Sequence, residues 1–91
     1  MLTIEGVARE LNIEKNGLIK ESLQTYLNHR LLKIETELFL LVKKYGIKDI
    51  FEFDSNIKKG FITEKEGYDD YFVFDNLEAE RETLKKILAR L

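Results

Sequence analysis

The sequence contains no cysteine and no proline, one histidine, one methionine and only five glycines in 91 residues. Without cysteine no disulfide can staple the fold, and a lone histidine leaves too few ligands for a dedicated zinc site. Without proline, and with little glycine, the chain lacks the residues that most often break helices. No stretch reaches the roughly 18 apolar residues of a membrane span. The first residues have neither a basic segment nor the long apolar run of a signal peptide. A soluble, cytoplasmic protein without membrane association is expected.

What is present suits a small helical domain. A chain of this length buries roughly 60–65% of its unfolded surface, so its core is marginal unless helix packing or a partner chain supplements it. Charged residues make up 35% and hydrophobic residues 44%, an ordinary globular balance. The formal charge is −2, but it is unevenly spread. From Glu64 to Glu82 there are eight acids (Glu64, Glu66, Asp69, Asp70, Asp75, Glu78, Glu80, Glu82) against Lys65 and Arg81, a local balance of −6. Such a belt repels phosphates and attracts a basic protein surface. Alternatively, acids near a helix start and bases near its end (Lys85, Lys86, Arg90) complement the macrodipole.

Spacing predicts four helices in one domain. A short helix from about Ile4 to Asn12 lies within segment 1–15, and Glu14-Lys15-Asn16-Gly17 reads as a turn. A long helix over 16–45 carries Leu23, Leu27, Leu31, Ile34, Leu38, Leu41 and Tyr45 at steps of 3 and 4, a coiled-coil-like seam. Gly46 stops it behind Lys43 and Lys44. A third helix over 48–59 puts Ile50, Phe51, Phe53 and Ile57 on a broad face. The fourth, over 64–90, opens on the capping-box pattern Thr63-Glu64-Lys65-Glu66. It carries Phe74, Leu77, Arg81, Leu84, Leu88 and Leu91 at the same steps and is open to interruption near Gly67. Its Tyr71-Phe72-Val73-Phe74 run is β-prone in isolation, yet the flanking period is helical.

The predicted class is therefore all-α: two long antiparallel helices joined by short ones. A long helix of about 28 residues spans roughly 42 Å, while a compact globule of this length has a radius of gyration near 12 Å. The helix must project, or pair with another long helix in this chain or a second one. Leu27, Leu31, Ile34, Leu38 and Leu41 are candidates for a homodimer seam. Phe51, Leu77, Leu84 and Leu88 join them as expected buried residues.

Few side chains suggest chemistry. There is no glycine-rich phosphate loop, no nucleophile elbow, and only two serines, Ser22 and Ser55. No cofactor, metal or catalytic group is expected, and the chain does not read as an enzyme. Asp69, Asp70 and Asp75 do not have the spacing of a calcium loop, and His29 reads as a solvent or interface residue. Arg81 stands at an apolar seam position. It requires a carboxylate, for which Glu35 and Glu37 are candidates, or must snorkel outward. Tyr68, Asp69, Asp70, Tyr71, Glu78 and Arg81 form a candidate protein-partner surface, with Phe72 and Phe74 assigned to the core.

The stretch Ala8-Arg9-Glu10-Leu11-Asn12-Ile13-Glu14-Lys15-Asn16-Gly17-Leu18-Ile19-Lys20-Glu21-Ser22-Leu23-Gln24-Thr25-Tyr26-Leu27 resembles the two-helix part of ribbon-helix-helix antitoxins. Those proteins read DNA with a strand placed before the first helix; here only Met1 to Thr3 precede it. The remaining segments include Val42-Lys43-Lys44-Tyr45-Gly46-Ile47, Asp49 to Asp54, Lys59 to Gly67 and Asp75 to Arg81. With them the chain is similar to small helical antitoxins of archaeal and bacterial toxin–antitoxin pairs. The resemblance implies a toxin as protein partner, masked by the acidic C-terminal helix. A DNA-binding regulator and a self-associating bundle are the alternatives, although residues 1 to 45 hold a near-balanced seven bases and six acids. Leu38→Ala is expected to cost ~2–5 kcal/mol if the seam is tightly packed. An unaltered melting temperature for that variant would show the seam to be misplaced.

Overall fold

Side-chain caps and left-handed turn residues divide the chain into α1 (Ile4–Leu11), α2 (Lys15–Tyr45), α3 (Ile50–Lys58) and α4 (Glu64–Ala89). The structure is a computed structural model that describes residues 2–91. Met1, the first residue of the expected segment 1–15, lies outside the described residues. The Thr3 hydroxyl accepts from the Gly6 amide, the Asp49 carboxylate from the Glu52 amide, and the Thr63 hydroxyl from the Glu66 amide. Each thereby satisfies an orphan donor of a first helical turn.

The break between α1 and α2 falls earlier than the expected turn at residues 14–17. Asn12 adopts the left-handed conformation with φ 57°, and the Ile13 amide reaches back to the Ala8 carbonyl. Asparagine tolerates that geometry, so Lys15, Asn16 and Gly17 are released into the first turn of α2.

The helices α2 and α4 run antiparallel. Arg30 meets Glu80, whereas Lys44 and Tyr45 meet Asp70, so numbers rise along one helix as they fall along the other. Leu27, Ile34 and Leu38 from α2 are buried with Phe74, Leu77 and Leu84 from α4, and Leu31, Leu41 and Leu88 pack half-buried beside them. The expected dimer seam is thus covered within one chain. At 31 and 26 residues, α2 spans about 46 Å and α4 about 39 Å. With Arg30 opposite Glu80, the end of α4 falls near residue 21 of α2, so somewhat under two turns of α2 extend past it, where α1 packs on them.

The result is a rod of 60 × 26 × 17 Å with a radius of gyration of 19.1 Å. The compact ball of about 12 Å is not formed, because two paired helices of this length fix the long axis.

Helix α3 closes the other end. Phe53, wholly buried, is ringed by Tyr45, Tyr71 and Phe74 at centroid distances of 4.7, 5.8 and 6.1 Å. Such aromatic pairs add to the area they bury. The expectation for Phe51 fails, since that ring is 80% exposed. A nine-residue helix has one narrow inward stripe, here Ile50, Phe53 and Ile57, and Phe51 lies some 160° from Phe53 around the axis. Phe72 is likewise exposed, being well over 100° from Phe74.

Gly67 does not interrupt α4. It is buried where α3 and its following loop cross the helix, and a Cβ there would lie 2.9 Å from Ile62 Cγ2 and 3.0 Å from Ile57 Cδ1. Its missing side chain lets the two elements approach. Gly17, by contrast, has open space around it.

Gly17→Ala is therefore expected to raise stability by ~1 kcal/mol in chemical denaturation, through helix propensity alone. Gly67→Leu is expected to lower it by ~1–3 kcal/mol, through overpacking.

Candidate functional site

The acidic half of α4 is a helix with two unlike faces. Gly67, Phe74, Leu77 and Leu84 point inward and are buried. One turn apart on the outer side stand Tyr68 and Phe72, 50% and 59% exposed. Asp69 and Asp75 are exposed beside them, Glu82 is exposed about 15 Å further along the helix, and Lys65 is exposed one turn before Tyr68; the three acids make no ion pair among the described residues. This places two apolar rings beside exposed acids.

The six residues expected to form a partner surface are not all brought to that face. Tyr68 and Asp69 belong to it. Asp70 turns toward α2, where it accepts from Lys44 Nζ at 2.8 Å and from the Tyr45 hydroxyl. These two donors hold its carboxyl below the usual aspartate range, with desolvation opposing them. Burial, followed by the bond to Asp70, pushes the Tyr45 phenol upward. The Tyr45 hydroxyl also reaches the Glu66 carbonyl at 3.1 Å. Tyr71 is half-buried, edge-on to Phe53.

Arg81 takes neither route expected of it. Its guanidinium lies 3.6 Å from Glu78, one turn back on its own helix, so the carboxylate comes from α4 and not from Glu35 or Glu37. Glu35, Lys48, Phe39 and Arg81 line a groove of about 310 Å³ between α2 and α4. The Nε of Arg81 is buried there without an acceptor. Desolvation raises the Glu78 carboxyl above its ordinary value, Arg81 opposes this, and Asp49, Asp75 and Glu82 add to it.

Two features escaped the sequence. Phe72 is expected in the core but is 59% exposed; its four-residue step from Tyr68 and its phase relative to Phe74 mark an outer stripe. The Arg30–Glu80 and Lys44–Asp70 pairs depend on a register that spacing does not reveal. Their side chains remain partly exposed, so solvent screens them and they set register more than they stabilise.

Nothing among the described residues assembles three His, Asp or Glu side chains as a metal cluster. No helix among them is long and apolar enough to cross a membrane. Near the front end, Lys15 pairs with Glu5 at 2.6 Å and Arg30 with Glu80. Arg9, Lys20 and Lys33 make no ion pair among the described residues.

Asp70 and Glu78 should act oppositely on stability. The lowered Asp70 value means that its contribution is present above the ~3.9 of an unfolded aspartate and is lost as pH falls through the lower folded value. Asp70→Asn should therefore flatten the acid limb of melting temperature against pH. The raised Glu78 value means a cost that develops as pH rises past the ~4.3 of an unfolded glutamate. Glu78→Gln should raise the melting temperature at pH 7 and leave it unchanged near pH 3.

No curated protein matches the chain, and no solved structure matches it. The whole sequence, residues 1–91, matches the model of the Uncharacterized protein MJ0235 family, and the chain belongs to that family.

Proposed function

We propose that this protein is a non-catalytic protein–protein interaction module that holds a basic partner protein on the outward face of α4. The observation that carries the reading is the pair Tyr68 and Phe72, exposed one turn apart and flanked by Asp69 and Asp75, with Glu82 further along the helix. Aromatic anchors supply desolvated contact area. Acids that lack internal partners are available to a basic surface and steer it into place. Asp70 and Tyr71 act beneath that face by fixing α4 against α2 and α3, whereas Glu78 and Arg81 pair within α4 itself. The resemblance to antitoxins supplies a specific form of the reading, in which the partner is a toxin that bound α4 occludes.

Co-expression with the product of the neighbouring gene, followed by calorimetric titration, tests it. A complex is expected whose affinity falls with salt and falls at least tenfold in Phe72→Ala. Asp69→Asn with Asp75→Asn should weaken it chiefly at low salt. If that product is a toxin, stoichiometric addition of the chain should abolish its activity. A folded protein that leaves the product unbound, or binding indifferent to Phe72 and both aspartates, would overturn the assignment.

A further inference from the structure

The opposite end of the rod presents a different surface. Helix α1 buries only Ala8, although its apolar residues lie on one side. Leu2, Ile4 and Leu11 are 72%, 49% and 60% exposed, and Ile13, just beyond the helix, is 44% exposed. Where α4 runs out, Leu23 and Tyr26 of α2 are uncovered as well, at 45% and 60%. An isolated helix of eight residues is not stable in water, and this one has a largely uncovered apolar side.

We infer that this end is a self-association surface, on which the α1 and first α2 turns of a second copy of the same chain dock about a two-fold axis. Three observations select a second copy. The first is area. A compact monomer of 10.8 kDa exposes about 5,500 Å², whereas this chain exposes 7077 Å². The excess of roughly 1,500 Å² belongs to the whole rod, and it is enough to include the ~800 Å² that each partner hides in a standard interface.

The second is charge. Between Leu2 and Tyr26 there are four acids, Glu5, Glu10, Glu14 and Glu21, against three bases, Arg9, Lys15 and Lys20. Like surfaces of near-zero charge do not repel, whereas the acidic face of α4 would repel its own copy. The third is shape. A groove of about 340 Å³ lies along Ile13, Gly17 and Leu18, edged by Glu14, Lys20 and Glu21. Gly17 leaves its floor open, and exposed leucines flank it in sequence. A surface with both hollow and projections is what an isologous contact requires, since each copy offers both. The inference stands apart from the reading of α4, because it uses none of the same residues.

Sedimentation equilibrium at micromolar concentration tests it on the full chain. The wild type is expected at twice 10.8 kDa. Leu11→Lys is expected at the monomer mass with unchanged helical circular dichroism, since Leu11 contributes little to the intramolecular core. Phe39→Lys, which alters an exposed ring of α2 far from α1, should remain dimeric. Should Leu11→Lys lose helicity, Leu11→Ala keeps a good helix former and should still raise the dissociation constant at least tenfold. A monomeric wild type, or a dimer broken by Phe39→Lys and untouched at Leu11, would overturn the proposal.

Discussion

The antiparallel seam between α2 and α4 is the contact on which the rest of the molecule depends. It supplies most of the buried apolar residues, and its length sets the shape. A second long helix in the same chain meets the need of α2 for a partner, but only after the chain reverses, and α3 is the reversal. Phe53 joins the two functions, since its ring seals the closed end of the seam and contacts side chains of both long helices. Gly67 permits that seal by leaving room for Ile57 and Ile62.

Legibility followed length. The seams of α2 and α4 repeat through several turns, so their inward faces, the capping threonine at residue 63 and the stop at Gly46 could be read from spacing. In α3, three large apolar residues fall within four positions, and a nine-residue helix gives too few repeats to choose Phe53 over Phe51. The Asn12 turn was masked by the Asn16-Gly17 pair, which has the stronger turn composition but lies where α2 already has its backbone bonds. For Tyr71-Phe72-Val73-Phe74, β-propensity yields to the pattern on either side, as tertiary context commonly decides such runs.

The outer surfaces were only partly legible. Tyr68 and Asp69 were recognisable by composition, but Asp70 and Glu78 are chemically the same kind of residue and serve inside the fold. The difference between them is rotational phase against α2, which becomes defined only when Arg30 meets Glu80 and Lys44 meets Asp70. Arg81 illustrates the same limit, because its nearest carboxylate belongs to its own helix. Charge separates the two ends of the rod. The α4 face is acidic and rejects its like, while the α1 end is nearly balanced and can meet its like.

The overhang of α2 beyond α4 also makes stability a graded property along the molecule. Layers near Phe53 are tied to three helices, whereas the turns near Lys15 are tied to α1 and their own backbone. Opening at the α1 end therefore breaks few contacts and leaves the aromatic end closed, which is the behaviour of separable local units.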